Sequence, residues 1–306
     1  MPLIILFLKP ARRPVNPHLS KLQPYPFEKL RQLFAGASQC WVPLVHNPHV
    51  GFGGVVMERL CTAFGARGGM TLRLRELFDD ARQYEKRRAE FEQNRMRRVA
   101  ASRLDLEALL PALQPGGALP FVVEVHRASD ILAVLRFAKE QGVRVILSGC
   151  EEGWQVAREI AAAKVPVIVS ALDNLPEDFD GVGARLDNAA LLVAAGVSVA
   201  ISTRLVEPHN ARTLRFEVGN AVAHGLPWES GIAAVTKIPA TIFGLNDRGT
   251  LEPGKAANVV VWTGDPFETS TRVRALIVRG KEIPLVSRQT LLRERYRDVS
   301  GMRPRL

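Results

Sequence analysis

A chain of 306 residues, 47% hydrophobic and 24% charged, has the length for a sizeable core and the composition of an ordinary globular protein. Its net charge of +10 raises the question of an acidic partner, but much of the basic excess lies in 71–103, TLRLRELFDDARQYEKRRAEFEQNRMRRVAASR, where carboxylates are interleaved. A solvated helix face accounts for that pattern better than a nucleic-acid groove, so nucleic acid is set aside as a partner.

The chain opens MPLIILFLKPARRP, a short apolar run with no basic residue before it and no small-residue cleavage site after it. A secretory signal carries its charge first, and the run is far short of the ~20 residues that span a bilayer. A strand or a badly defined start is the expectation here, with no membrane partner and a cytoplasmic location. Cys40, Cys61 and Cys150 are widely spaced and odd in number, so no disulfide framework or zinc knuckle follows, and a reducing compartment is the simplest reading. KPARRPVNPHLSKLQPYPF is Pro-rich and reads as irregular, and NPHVGFGGV as a loop. The GFGGV within it resembles a phosphate loop in composition only, since no clear strand precedes it and no Gly-Lys-Ser/Thr follows. His46 and His49 stand at i, i+3, but Pro48 between them argues against a helix, so both read as loop residues. The one clear element of residues 1–118 is a long charged helix at about 71–100.

From residue 119 the pattern becomes regular. LPFVVEVH (119–126) reads as a buried strand, and RASDILAVLRFAKEQG as a helix with Ser129 or Asp130 at its cap and Gly142 as its stop. The unit repeats: strand 143–149 with helix 151–164, strand 165–171 with helix 182–196, then strand 197–203 with helices over about 211–224 and 228–243. Strands buried on both faces and joined by helices pair in parallel through right-handed crossovers. The tail differs. A turn at Pro253-Gly254 precedes a strand at Asn258–Trp262, 273–285 reads as a hairpin with Arg279-Gly280 at its tip, and 287–299 as a short basic helix.

The stretch TKIPATIFGLNDRGTLEPGKAANVVVW (236–262) resembles the metal-dependent amidohydrolase superfamily, at Thr236, Pro239, Ala240, Gly244, Leu245, Gly249, Leu251, Pro253, Gly254, Lys255 and Ala256–Val261. Asn258 stands where that family usually has Asp. The likeness runs from about residue 70 to the end and is nearest to imidazolonepropionase-like and prolidase-like members. It implies an α/β fold: a partial TIM-like (βα) barrel, its last four βα units at 119–248, followed by the C-terminal strands of a small β-sandwich at 249–286 and a basic helix and tail at 287–306. The N-terminal sandwich strands and a Pro-Gly-Leu-Ile-Asp-x-His-x-His strand end are not visible in the sequence. An open half-barrel exposes a strand edge, which points to a truncated or degenerate start, to irregular completion by residues 1–118, or to a second chain and a homo-oligomer.

The resemblance implies ligands at the ends of several strands for one or two divalent ions, zinc foremost. His126 matches the fifth-strand histidine. Ser148 stands where the sixth-strand histidine belongs, with Cys150 and Glu151 beside it, and Arg204 stands in place of the ligand Asp of the eighth strand. A guanidinium neither coordinates a cation nor acts as a base at neutral pH. Two readings of VSVAISTRLVEPHNAR stay open: an anion-binding pocket built on Arg204, or a tolerated substitution in a site no longer used. Glu207, His209 and Asn210 follow on the same loop, and Arg127 and Asp173, with Asn174 after it, are further pocket candidates. The resemblance therefore implies metal-assisted hydrolysis of a non-peptide or dipeptide C–N bond in a small amide or cyclic amide, with the metal set impaired. The rival is a non-catalytic relative that binds a partner and holds no metal.

Overall fold

The structure is a computed structural model. It describes residues 67–99, 101–114, 119–172, 174–176, 180–203 and 213–297, together with the backbone of 3–4 and 55–56. The chain divides into two units, Pro26–Leu245 and a second made of Met1–Tyr25 with Asn246–Leu306.

The larger unit is built on a parallel sheet. Its strands are β2 (Val55–Val56), β3 (Phe121–Val125), β4 (Val145–Gly149), β5 (Val167–Val169) and β6 (Val199–Ile201), hydrogen-bonded in that order. In-register pairs run Val122 to Ile146, Glu124 to Ser148, Ser148 to Ile168, and Ile168 to Ala200. The Val- and Ile-rich runs form these strands because side chains are buried on both faces, as a parallel sheet covered by helices requires. β2 corrects the loop assigned to this stretch: Val55–Val56 adds a strand ahead of the four that the pattern gave. A two-residue strand has no detectable alternation.

One face of the sheet carries Phe121, Val123 and Val125. Against it lie α1 (Arg67–Lys86) and α4 (Ala128–Gln141), with Phe78 edge-on to Phe121 at 5.5 Å and 5.1 Å from Phe137. The charged helix of the sequence reading is thus amphipathic: Leu74, Leu77, Phe78, Ala81 and Tyr84 form a buried stripe at helical spacing. Full burial of a Leu or Phe side chain stabilises by about 1.5–3 kcal/mol. The helix is also shorter than expected. It breaks at Arg87, resumes as α2 (Arg88–Glu92), and α3 (Arg103–Leu113) follows behind a Ser102–Asp105 capping box.

The opposite face carries Val122, Ile146, Ile168 and Ala200, packed with Ile238 and Ile242 of α9 (Lys237–Ile242). The long helix expected over 228–243 is two, α8 (Trp228–Val235) and α9, because Thr236 leaves helical geometry and Pro239 has no N–H with which to continue α8. The helix expected over 151–164 is a 3₁₀ turn at Gly153–Val156 leading into α5 (Ala157–Ala163). The remaining helices are α6 (Asn188–Ala194) and α7 (Leu214–Ala223).

The smaller unit holds an antiparallel sheet in the order β1 (Leu3–Ile4), β7 (Val259–Trp262), β8 (Val273–Val278), β9 (Lys281–Glu282). Pairing of Leu3 with Val261 and Ile4 with Val260 makes a strand of residues 3–4, one of the two expectations for the opening run. Arg279 and Gly280 form the hairpin tip, both left-handed. Asn258 accepts a hydrogen bond from the Arg279 amide at 2.9 Å, so its side chain fixes the tip by an oxygen that Asp would also present. α10 (Arg288–Arg295) follows with no buried residue. Among the described residues, no helix is long and apolar enough to cross a membrane.

Candidate functional site

Residues at the C-terminal ends of β3, β4 and β5 converge, the end at which open and closed parallel α/β sheets build their sites. β4 ends in two successive left-handed residues, Gly149 (φ 88°) and Cys150 (φ 56°), which turn the chain back toward β3. Cys150 N–H donates to the Val125 carbonyl at 2.7 Å and Glu152 N–H to the His126 carbonyl at 3.0 Å. This lacing sets the Glu151 carboxylate against His126, with Nδ1 and Oε2 2.5 Å apart. Both side chains are largely shielded, at 23% and 15% exposure. Gly149 is required by the contact as well as by its φ, since a Cβ there would lie 2.9 Å from His126 Nδ1.

The neighbouring carboxylate has a structural task. Glu152 accepts from the Ala128 amide at 3.0 Å and from the Gly183 amide at 3.1 Å. α4 begins at Ala128, with Arg127 as its N-cap and no side-chain cap, so Ser129 and Asp130 do not cap it. Glu152 takes that role from across the sheet end.

Under the loops lies a buried amide network. Asn188 accepts from the Trp154 amide at 3.0 Å and donates to the Cys150 carbonyl at 2.8 Å and to Asn174 Oδ1 at 3.1 Å. Asn174 donates in turn to the Ser170 carbonyl at 2.7 Å. Glu217 on α7, also buried, accepts from Ser170 Oγ at 3.1 Å and the Leu172 amide at 2.9 Å. Above it, Trp154 donates to the Gly183 carbonyl at 2.8 Å and stacks under the Arg185 guanidinium, whose bond to Asp187 holds that carboxyl below its ordinary range.

Of the residues singled out in the sequence, His126, Arg127, Ser148, Cys150, Glu151 and Asn174 are described. His126 stands at the strand end with Glu151. Ser148 is buried on the face of β4 that bears Ile146, in register with Glu124. Arg127 is half exposed, 3.8 Å from Asp180. Asp173, Arg204, Glu207, His209, Asn210, His46 and His49 lie outside the described residues. Cys150 is fully buried, and burial, with the Glu151 charge as a lesser cause, pushes its thiol well above the ordinary range, away from the thiolate a metal would need. Glu151 entered the sequence reading only as a neighbour of Ser148. Its signal was the Gly-Cys-Glu-Glu run directly after a strand.

A hydrolytic ion needs several donors around it. Among the described residues no three His, Cys, Asp or Glu side chains gather as a metal site. A buried hydroxyl and a buried protonated thiol beside one imidazole do not fit a hydrolytic ion by themselves.

A family model described as "Amidohydrolase family" matches residues 186–284, a span that includes the 236–262 motif, α7 to α9 and the strands β7 to β9. That match covers about a third of the chain, in its C-terminal half, so over those residues the chain is similar to the amidohydrolase family. An amidohydrolase from Thermotoga maritima is similar over 72% of this chain and 57% of its own, at 27% identity and a TM-score of 0.62. The curated Amidohydrolase tasK of Hapsidospora irregularis is 36% identical over 59 residues, 19% of this chain and 6% of its own. An adenosine deaminase from Xanthomonas campestris with bound zinc is similar over 58% of this chain and 50% of its own, at 18% identity and a TM-score of 0.43. This chain thus spans just over half the length of the Thermotoga protein. Its fold, an α/β unit on a parallel sheet with a separate antiparallel sheet, is similar to that protein's.

Proposed function

We propose that this chain is an amidohydrolase of the imidazolonepropionase-like or prolidase-like group, and that its ancestral reaction is metal-assisted hydrolysis of a non-peptide or dipeptide C–N bond, impaired in this sequence. The parallel sheet is the last part of a TIM-like barrel, and the antiparallel sheet part of a β-sandwich. The substrate is a small amide or cyclic amide. The observation that carries the reading is the strand-end arrangement itself. His126 is held by Glu151 at 2.5 Å, where a site residue belongs, while the next strand offers Ser148 in place of a second imidazole. Arg204 replaces the carboxylate of the last strand in sequence and adds a positive charge where an active relative needs a negative one. Scaffold and first imidazole support descent from a hydrolase, and the remaining positions support impairment.

The rival reading, a non-catalytic relative that binds a partner, is favoured by Ser148, a poor ligand on the strand beside His126. Metal content of the purified full chain, measured by elemental mass spectrometry before and after incubation with zinc, manganese and iron, separates the two. About one ion per chain, with turnover of N-acyl amino acids, dipeptides or imidazolones, restores an active centre and overturns impairment. Less than about a tenth of an ion per chain, without turnover, supports impairment and directs the search to binding partners.

A further inference from the structure

We propose that Glu151 is the positioning residue of the strand-end site: its carboxylate holds the His126 imidazole as the Nδ1–H tautomer, so that the ring's lone pair lies on Nε2. The inference deepens the reading above and rests on it for the site's location.

The argument starts from the donors. In the proposed arrangement Nδ1–H donates across the 2.5 Å contact to Oε2, since a carboxylate in its charged form has only acceptors. A contact of this kind is charge-assisted and roughly twice as strong as a neutral one, and with both side chains mostly shielded, water competes poorly for it. In the neutral ring a proton on Nδ1 leaves Nε2 as the acceptor. Free imidazole side chains favour the opposite tautomer, so the carboxylate sets a preference that solution would reverse.

The backbone is arranged for the same contact. Residues 149 and 150 take the left-handed turn that delivers Glu151, and the amide-to-carbonyl bonds of Cys150 to Val125 and of Glu152 to His126 fix both ends of the dyad. Gly149 leaves the ring its place, since a Cβ would stand 2.9 Å from Nδ1 and 3.0 Å from Cε1. Two positions adjacent in sequence, 151 and 152, therefore divide the work. Glu152 holds backbone amides, and Glu151 orients the imidazole.

The experiment is nitrogen NMR on the full chain with histidine-selective ¹⁵N labelling, at a pH where the ring is neutral. The His126 signals are assigned by their loss in His126→Gln. Wild type is expected to show the Nδ1–H coupling pattern. In Glu151→Ala the Nδ1–H population relative to Nε2–H is expected to fall by about tenfold, the size of one charge-assisted bond. An Nε2–H pattern in wild type overturns the proposal whether or not the variant folds, and so does an unchanged pattern in folded Glu151→Ala. The readout uses neither metal nor substrate. A chain that binds no ion and turns nothing over can still display the oriented ring, and an active chain can fail to, so this proposal and the functional reading fail separately.

Discussion

Asn188 donates to the carbonyl of Cys150 at 2.8 Å, and through that bond the start of α6 supports the turn that carries Glu151. Asn188 is fully buried and uses both ends of its amide, accepting from Trp154 N–H and donating also to Asn174. Leucine has a similar volume but leaves the Trp154 amide and Asn174 Oδ1 without this partner, while the Cys150 carbonyl keeps the Gly153 amide at 2.8 Å. Asn188→Leu is expected to destabilise by about 2–4 kcal/mol, the cost of two buried groups left unmet. Urea unfolding would read it as a lower midpoint with an unchanged slope.

Cys150 is held at the same turn with its thiol fully buried and its pKa raised by burial. The folded state therefore favours the thiol. Its contribution is fully present below the unfolded thiol pKa and is lost as pH rises toward the folded value. Iodoacetamide labelling at pH 8 followed by peptide mapping should leave Cys150 unmodified in the native chain and alkylate it promptly in denaturant. Native labelling at the denatured rate would contradict the buried environment.

The sequence displayed the elements that obey a period and concealed the contacts that do not. β3 to β6 were visible because Val and Ile runs are what a strand covered on both faces needs. Val55–Val56 and Leu3–Ile4 are too short to carry a period, and their pairing is decided by strands far along the chain. His126 was legible as a strand-end residue through the family pattern. Its partner was not, since whether Glu151 or Glu152 faces the ring depends on two left-handed residues that no periodicity encodes. Cap residues misled for a similar reason: Ser129 and Asp130 are good local caps, but the amide of Ala128 is satisfied by Glu152 from the turn after β4.

Asn258 occupies a position where amidohydrolases usually have Asp, and its Oδ1 accepts the Arg279 amide at the hairpin tip. That task needs an oxygen and no amide nitrogen. Asn258→Asp is therefore expected to change stability by less than about 0.5 kcal/mol, whereas Asn258→Ala should cost about 1 kcal/mol for the lost bond. Thermal unfolding of the two variants side by side checks it, and equal losses would mean that the side chain does not hold the tip.

Tyr84 joins α1 to α3 by donating to Glu107 Oε1 at 2.7 Å. The hydrogen bond from Tyr84 holds the Glu107 carboxyl below its usual range, while burial first and the bond to Glu107 second raise the Tyr84 phenol. The signs differ at the two ends of the pH scale. For Glu107, with its folded pKa depressed, the stabilisation is present above the ordinary carboxylate value of 4.5 and is lost as pH falls through the folded value. For Tyr84, with its folded pKa raised, it is present below the ordinary value of 10.0 and is lost as pH rises through the folded value. Tyr84→Phe keeps the ring against Phe91, 4.9 Å between centroids, and removes only the hydroxyl. At pH 7 it should cost about 0.5–1.5 kcal/mol. It should also flatten the decline of stability at both the acid and the alkaline end. Urea midpoints measured from about pH 2.5 to about pH 11.5 would read both effects, since the declines lie below 4.5 and above 10.0, and a uniform offset with unchanged slopes at the two ends would show that the hydroxyl is not what couples Glu107 to the fold.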